Sequence, residues 1–450
     1  MTPRSRSVSF VSFVGLRVRE QELLRLGISL PGLENRHAAV AELPALGLLT
    51  LAGRLPSEWS CSYHEVDKWE QRLVDQITDE DPGIVAISAL TASVKEAYGF
   101  SNALRKRGIP TVIGGLHATA CPDEAANYAD AVVVGDGEPV WSQVLQDASL
   151  GQASGIYRAD RPFNLNESRP PRFDLAAALP RSRFTIQTQR GCPFACEFCA
   201  ASRLLGVFRE KPAHLLQEEF ETLKKIVRRP VVELADDNTF AGARDHRELL
   251  GVLSDTGLRY FTESDWRIGE RVALLRDLAA SGCVQVLVGI ESLVHSYRGF
   301  GEKRAELCRV MAALEAIQDH GIAVVGCFVL GADGETKGSI ENLTKFLLDC
   351  SLADVQVTLQ TPFPGSPLRQ RLAREGRIIS DRGWDYYTLF DVTFIPDCMT
   401  VSDLENAYRE LAGAVYSTAE NKRRSSIRKT VWTKSRIARK LRCSQSQERS

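Results

Sequence analysis

Two runs of alternating strand-like and helix-like segments are the strongest feature of the sequence, and they restrict the chain to α/β architectures. In the first run, short apolar segments predict strands, and "VKEAYGFSNALRKRG" between two of them has helical periodicity. These strand segments are "LPALGLLTLAGRLP", "CSYHEVD", "GIVAISAL", "TVIGG" and "AVVVGDGE". Because strands that alternate with helices form parallel sheets, we expect an open, Rossmann-like parallel sheet over residues 1–150.

A second run of six repeats predicts a different architecture. Its strand segments are "RFTIQTQ", "VVELADD", "RYFTESD", "VQVLVGIES", "AVVGCFVLG" and "VQVTLQTP". Six strand–helix repeats are too many for a small doubly wound sheet and too few for a closed eight-stranded barrel, so residues 183–375 are predicted to form a partial (β/α)6 TIM barrel. The weakly patterned segment 151–182, rich in Arg, Pro and Asn, is interpreted as a linker between the two domains.

Residues 376–450 are predicted to form a mainly helical C-terminal extension with a basic tail. From Asn421 onward the chain is dense in Lys and Arg, which favours a solvated or disordered segment. The alternative is an amphipathic helix, in which Ile427, Val431 and Trp432 share one face and contact the inner surface of the membrane.

Composition excludes several classes of protein. The 450 residues carry a formal net charge of −1, whereas proteins that bind nucleic acid usually contain a clearly basic domain. Eleven cysteines are too few and too scattered for a small secreted disulfide scaffold, and an odd number fits poorly with full pairing. Arg17 and Arg19 interrupt the N-terminal apolar stretch, and no apolar run reaches 18 residues, so we expect a cytoplasmic protein.

Three cysteines stand at the end of the first predicted barrel strand, where the active sites of such barrels gather. Cys192, Cys196 and Cys199 are four and three positions apart. A structural zinc site normally uses four protein ligands arranged as two pairs, which this triplet does not supply. An iron–sulfur cube has four irons, so three thiolates leave one iron open as a reaction site. A triplet without chemical function is the alternative.

The CxxxCxxC spacing, with Phe198 before the third cysteine, resembles the radical S-adenosylmethionine (SAM) superfamily. The resemblance extends to "ELADDNTF", "VGIESL", "GCFVLGADGET" and "TPFPGSPL", which follow in the same order. It implies that Cys192, Cys196 and Cys199 bind a 4Fe-4S cluster, and that SAM chelates the open iron and is cleaved to a 5′-deoxyadenosyl radical.

The same resemblance implies contacts to SAM at the ends of three strands. Asp236 or Asp237 is expected to accept from the methionyl ammonium group, and Glu291 from the ribose hydroxyls. Ser264 and Arg267 are further candidates for the same cofactor. The alternative for the Asp-Asp-Asn segment is a helix cap or an Asx-turn.

Loops in the N-terminal domain resemble those of cobalamin-binding domains. The candidate cofactor contacts lie in "ISALTAS", "IGGLHATA" and "VGDGEP", after successive strands, where open α/β sheets bind their ligands. They are Ser88, Leu90, Gly114, Gly115, His117, Gly135 and Glu138. The chain lacks the Asp-x-His-x-x-Gly motif that supplies a histidine to cobalt, and His117 is not interpreted as the cobalt ligand. Over residues 40–400 the sequence resembles the cobalamin-dependent radical SAM family, which includes class B methyltransferases.

This family resemblance implies an enzyme whose cofactors are a 4Fe-4S cluster, SAM and cobalamin. The expected reaction is methylation of an unactivated carbon of a lipid or natural product, with methylcobalamin as the methyl donor and flavodoxin or ferredoxin as the reducing partner. Cyclisation, ring contraction or another rearrangement with the same cofactors is the alternative, and a non-catalytic cobalamin or redox sensor is the third. Nucleic acid is not an expected partner.

Overall fold

The computed structural model describes residues 5–14, 19, 21, 43–179, 181, 183–194, 196–241, 244–294 and 306–447, with side chains to 434. The N-terminal domain is built on a six-stranded parallel sheet with the order β2-β1-β3-β4-β5-β6. Its strands are β1 (Ser7–Phe13), β2 (Ser60–Val66), β3 (Ile84–Ala89), β4 (Thr111–Gly114), β5 (Ala131–Val134) and β6 (Gly155–Arg158). The strand order changes direction between β1 and β3, which places a ligand crevice at the carboxyl ends of the central strands.

Helices cover both faces of this sheet, and apolar clusters fill the space on either side. The helices are α1 (Leu46–Ala52), α2 (Gln71–Glu80), α3 (Val94–Lys106), α4 (Leu116–Ala120), α5 (Pro122–Ala125) and α6 (Glu138–Ser149). The prediction of a strand in "LPALGLLTLAGRLP" is wrong, because Leu46–Ala52 within this segment form α1. The segment has no β-branched residue except Thr50, and leucine favours helix, so its apolar run fits a short buried helix better than a strand.

Two strands of this sheet lie outside the segments that the sequence pattern indicated. β1 lies in the N-terminal apolar stretch, and β6 lies within residues 151–182, the predicted linker. The same segment contains α7 (Phe173–Ala177), whose Phe173 is fully buried in the core of the second domain. The connection between the domains is therefore a folded part of both, because it extends one sheet and packs against the other.

The second domain confirms the predicted six-stranded partial barrel. Its parallel strands have the order β14-β13-β12-β11-β10-β7. They are β7 (Arg183–Ile186), β10 (Val231–Leu234), β11 (Arg259–Asp265), β12 (Cys283–Glu291), β13 (Ala323–Leu330) and β14 (Asp354–Leu359), and the two-residue strands β8 (Gln189–Arg190) and β9 (Arg209–Glu210) pair separately. Because neighbours in sequence are neighbours in the sheet, all six carboxyl ends line one edge in chain order.

Helices cover the outer face of the barrel and continue into the C-terminal extension. They are α8 (Ala201–Leu204), α9 (Ala213–Ile226), α10 (Arg247–Thr256), α11 (Val272–Ser281), α12 (Leu307–Asp319), α13 (Lys337–Asp349), α14 (Pro367–Arg374), α15 (Val401–Val415) and α16 (Thr418–Gln447). The barrel core joins the strand interiors to α15 through buried residues such as Tyr408 and Leu411.

The basic tail is neither disordered nor free to present its apolar face to a membrane, as far as its side chains are described. It forms α16, and Val431 is buried with Ala323 and Ala353 at the amino ends of β13 and β14. The Trp432 indole donates to the Val284 carbonyl at 2.9 Å, and Ile427 packs beside it. The predicted amphipathic face exists, but it packs against the barrel at the end opposite the strand carboxyl ends. No described helix combines the length and the apolarity that a membrane crossing needs.

Candidate functional site

The three motif cysteines line a cavity of about 250 Å³ at the carboxyl ends of the barrel strands. Asp237, Ser264 and Glu291, which the sequence predicts as SAM contacts, line the same cavity. The structure therefore brings these six side chains together at one cavity, although they come from four separate segments. The remaining lining residues are Phe194, Phe198, Ser202, Asn238, Glu263, Leu287, Gly289, Cys327 and Gln356.

The cysteine loop is held by local and distant contacts. The Ser202 amide donates to the Cys199 sulfur at 3.4 Å, which orients this side chain within the loop. Glu197 in the same loop accepts from Arg371 of α14 at 2.7 Å, and its carbonyl accepts from the Leu368 amide at 3.0 Å. A Pro-Gly-Ser turn precedes α14, with Gly365 at a φ of 85°. This turn sets the position of α14 beside the cysteine loop.

Glu291 ends β12 in an unusual backbone conformation. Its φ is 67°, a left-handed value that a residue other than glycine rarely adopts, and its side chain is almost fully buried. The pairing between β12 and β13 shifts register at this point. Strain of this kind persists where the surrounding structure enforces it, and it is common at functional sites. Here the irregular strand end places Glu291 at the cysteine cavity.

Asp236 has a different position from its neighbour Asp237. Its carboxylate accepts from the Thr188 amide at 2.8 Å, the Thr188 hydroxyl at 2.6 Å and the Gln189 amide at 3.1 Å. The Thr239 hydroxyl donates to it at 2.9 Å. Burial raises the pKa of Asp236 to about 6, against the effect of these hydrogen bonds. Asp236 does not line the cavity, so it braces the loops after β7 and β10, and of the two predicted carboxylates only Asp237 lines it.

Arg267 lies beside the cavity without lining it. Its guanidinium stands 4.7 Å from the centre of the Phe194 ring, which does line the cavity, and Nε donates to Asp265 at 3.0 Å. Among the described residues, Nη2 is buried and has no hydrogen-bond partner. A buried donor without an acceptor is costly, so an anionic group of a bound ligand would complete this position.

Several residues of this cavity were not among the predicted contacts, although Asn238 and Cys327 lie within the quoted segments "ELADDNTF" and "GCFVLGADGET". Glu263, Cys327 and Gln356 lie on β11, β13 and β14, and Asn238 binds the Ser264 hydroxyl at 3.2 Å. The alternation of side chains along a strand could have indicated some of the lining residues. On β12, for example, Leu287, Gly289 and Glu291 line the cavity at every second position. Cys327 lines the cavity, whereas Cys308 is exposed and Cys283 and Cys350 are buried elsewhere.

A second cavity, of about 310 Å³, opens at the carboxyl ends of the N-terminal sheet. Five of the seven predicted cobalamin contacts line it: Ser88, Gly114, Gly115, Gly135 and Glu138. The other two do not. Leu90 is 45% exposed, and the His117 side chain is buried away from this lining, against Trp384 of the C-terminal extension.

The backbone at this second cavity approaches closely because glycine is present. Gly115 has a φ of 104°, and a Cβ atom there would stand 3.3 Å from the Ser88 hydroxyl oxygen. Between β3 and β4 the cavity wall therefore consists of backbone and small side chains. A bound ligand can pack closely against such a wall. The residues present fit a cobalamin tail at this position.

Charged residues close the second cavity between the two domains. Arg190 of the barrel donates to Asp136 at 2.6 Å and to Glu138 at 2.8 Å, and Arg209 donates to Asp136 at 2.9 Å. All four side chains are mostly buried. Burial opposes the charge on Arg190, but the two carboxylates raise its pKa, so the guanidinium stays charged. This cluster fixes the glycine-rich loop after β5 to the strand that precedes the cysteines.

The two cavities are neighbours. Gln187, Arg190 and Ala235 of the barrel line the second cavity, while Cys192 and Asp237 line the cysteine cavity. Two segments of the barrel therefore line both cavities. In the first, Arg190 lines the second cavity and Cys192 lines the cysteine cavity; in the other, Ala235 and Asp237 are divided in the same way.

Comparisons with known proteins agree with this division. The B12 binding domain model matches residues 36–145, and the Radical SAM superfamily model matches residues 186–347. Bacteriochlorophyllide d C-12(1)-methyltransferase of Chlorobaculum tepidum is 25% identical over 365 residues, which are 79% of this chain and 79% of the relative. Anaerobic magnesium-protoporphyrin IX monomethyl ester cyclase of Rubrivivax gelatinosus is 24% identical over 416 residues, 82% of this chain and 74% of the relative.

A solved structure shows the same fold. The radical S-adenosylmethionine methyltransferase TsrM from Kitasatospora setae, with cobalamin and a 4Fe-4S cluster bound, superposes with a TM-score of 0.63. It is 14% identical and covers 93% of this chain and 90% of its own. These findings confirm the predicted family and fold and agree with the predicted cofactors. The chain belongs to the radical SAM proteins that carry an N-terminal B12-binding domain.

Proposed function

We propose that the chain is a cobalamin-dependent radical SAM methyltransferase that acts on an unactivated carbon of a small lipid or natural product. The observation that carries this proposal is that the two cavities adjoin along the loops after β7 and β10. When bound, the cluster with SAM supplies a carbon-centred radical that abstracts hydrogen, and cobalamin supplies a methyl group. Such a reaction needs both groups within reach of one substrate carbon, and adjoining cavities meet that requirement.

The residues of the cysteine cavity have distinct roles in this proposal. Cys192, Cys196 and Cys199 hold the cluster, and the Ser202 amide donates to the Cys199 sulfur. Asp237 accepts from the SAM ammonium group, Glu291 accepts from the ribose hydroxyls, and Ser264 donates to or accepts from the same ligand. Arg267 has a free buried donor at Nη2 among the described residues, which suits the SAM carboxylate.

The residues of the second cavity hold cobalamin and protect the reaction. Gly114, Gly115 and Gly135 let the cofactor approach the backbone, and Ser88 offers a hydroxyl. Leu204 and Leu205 of the barrel present apolar surface to the same cavity, which helps to exclude water from a radical reaction. A cytoplasmic location and flavodoxin or ferredoxin as electron donor belong to the same proposal.

Cyclisation is the second candidate, because a cyclase is among the relatives that span most of the chain. Turnover separates the two: a methyltransferase forms a methylated product and S-adenosylhomocysteine together with 5′-deoxyadenosine, whereas a cyclase forms a product without an added methyl group. If protein that holds its full complement of cluster, SAM and cobalamin formed neither product, a non-catalytic sensor would be favoured.

A matched pair of helix glycines tests the cobalamin site. Gly47 of α1 lines the second cavity and Gly251 of α10 does not, and a Cβ atom would contact nothing within 4 Å at either position. Gly47→Leu should fill part of the cavity and lower cobalamin retention, while the iron content stays unchanged. Gly251→Leu should retain cobalamin as the wild type does. Equal retention in the two variants, both folded, would reject the placement of cobalamin in this cavity.

A further inference from the structure

A cluster of metal-binding side chains lies outside both cavities, on the loop after β4. One donor atom from each of His117, Cys121 and Glu124 lies within 4.8 Å of the others. The three residues stand on α4, at its end and on α5. Neither the methyl-transfer proposal nor the family models assign a role to this group.

The His117 imidazole is prepared for a ligand at one nitrogen. The side chain is 1% exposed, and Nδ1 lies 3.3 Å from the Thr91 hydroxyl oxygen, which can accept the ring N–H. Nε2 is buried and has no hydrogen-bond partner among the described residues, and the nearest Glu124 oxygen is 3.5 Å away. A metal-binding histidine commonly donates its second N–H to a fixed partner in this way, which leaves the other nitrogen free to coordinate.

The carboxylate is also oriented. The Trp384 indole N–H lies 2.9 Å from both oxygens of Glu124, and the Trp384 ring packs edge-on against His117 with the ring centres 5.0 Å apart. The Arg369 guanidinium lies 4.6 Å from the centre of the Trp384 ring. A carboxylate has about four lone-pair positions, so Glu124 can accept from Trp384 and still bind a cation.

We propose that His117, Cys121 and Glu124 bind a zinc ion in an open, three-ligand site on the loop after β4, beside the C-terminal extension. An imidazole nitrogen, a thiolate sulfur and a carboxylate oxygen form a ligand set that suits zinc, with water in the fourth position. Ligand atoms around a tetrahedral zinc lie roughly 3.3 to 3.8 Å apart, so a contraction of about 1 Å within the cluster is sufficient.

The proposed zinc site lies where the N-terminal domain contacts the C-terminal extension. Its three ligands belong to the N-terminal domain, and Trp384, 260 residues from Glu124 in sequence, belongs to the C-terminal extension. Lys95 of α3 binds Asp385 at 2.6 Å beside it. An ion that fixes Glu124 therefore fixes the acceptor of the Trp384 indole. This inference goes beyond the proposed methyl transfer and does not depend on it.

Metal content provides the test. The full-length protein, with its cluster reconstituted, is equilibrated with zinc chloride and desalted, and iron and zinc are measured by mass spectrometry. We expect about one zinc per chain. Cys121→Ala should lose it with the iron unchanged, and Cys61→Ala, a change at another half-buried thiol of the same domain, should keep it.

The cluster cysteines could bind zinc by themselves, and a further variant separates the two sites. In the combined change of Cys192, Cys196 and Cys199 to Ala, zinc should remain while iron is lost. Loss of zinc in that variant with retention in Cys121→Ala would overturn the proposal, as would less than about 0.1 zinc per wild-type chain. X-ray absorption at the zinc edge of the wild type should show one sulfur among the ligands, and a shell without sulfur would contradict the assignment even if a variant misfolds.

Discussion

Arg190 and Asp136 join the two domains through a hydrogen bond of 2.6 Å between largely buried charged groups. Arg190 stands two residues before Cys192, the first of the three motif cysteines, and Asp136 lies in the glycine-rich loop of the second cavity. A change at either residue therefore acts on the contact between the two proposed cofactor sites.

Arg190→Met keeps the length of the side chain and removes its charge. Asp136 would keep Arg209 as a partner, whereas Glu138 would lose its guanidinium, so we expect a loss of roughly 3 kcal/mol in the free energy of unfolding. Cobalamin retention should fall as well. Arg247→Met, at an exposed arginine paired with Asp245, is the control and should change neither quantity. Denaturant unfolding and cobalamin absorbance measure the two effects, and a stability equal to wild type would contradict the bracing role.

Glu291→Gln tests SAM binding separately from cluster assembly. The amide is isosteric but uncharged, so a charge-assisted contact to the ribose hydroxyls is weakened and SAM affinity should fall roughly tenfold or more. Iron content should be unchanged, because no thiolate is altered. Glu335→Gln, at another buried glutamate of the barrel that does not line the cavity, is the control. Wild-type affinity in Glu291→Gln would move the ribose contact to Ser264 or Arg267.

Glu335 also predicts a pH dependence of stability. Burial raises its pKa to about 7 from 4.5, although the hydrogen bond that it accepts from the Gly331 amide opposes this shift. Below pH 4.5 the carboxyl is protonated in both folded and unfolded chains and costs nothing. Between pH 4.5 and 7 this carboxyl ionises in the unfolded chain but stays protonated in the folded one. The free energy of unfolding of wild type should therefore fall by roughly 2 to 3 kcal/mol relative to that of Glu335→Gln, and this difference should stay nearly constant at higher pH. Parallel unfolding curves at pH 5 and 8 measure it, and a gap that does not widen would contradict the shift.

The packing of α16 against the barrel predicts that a change at Trp432 lowers stability and leaves vesicle binding unchanged. Trp432→Ala removes ring packing and the hydrogen bond to the Val284 carbonyl, so the free energy of unfolding should fall by roughly 1 to 3 kcal/mol. Thr433→Ala, on the exposed side of α16, should cost much less. Sedimentation with anionic vesicles should be the same for Trp432→Ala and wild type. Vesicle binding that depends on Trp432 would show that this face leaves the barrel.

The fold was predictable where residue type and periodicity agreed. All six barrel strands combine β-branched or aromatic residues with short length, so each was found. α1 was mistaken for a strand because a short leucine-rich run carries no periodicity long enough to separate helix from buried strand. β6 has only four residues, and three of them, Gly155, Ile156 and Arg158, are exposed, so its sequence shows no apolar pattern typical of a buried strand.

The site was predictable only where residues follow one another in a motif. The cysteine triplet, Asp237 and Glu291 stand at strand ends within recognisable segments. Cys327 lies within the quoted segment "GCFVLGADGET" but carries no recognised role there, and it reaches the cavity, like Gln356, because β12, β13 and β14 pair side by side. The contact of Trp384 with Glu124 joins two domains, and no local pattern encodes it.

The most direct test of the central claim uses one preparation of the full-length protein, reconstituted anaerobically with iron, sulfide and cobalamin. It should hold about four irons and about one cobalamin per chain, and with SAM and a reductant it should form both 5′-deoxyadenosine and S-adenosylhomocysteine. The first product reports the cysteine cavity and the second reports methyl transfer to cobalamin in its neighbour. Fully loaded protein that forms neither product would contradict the account.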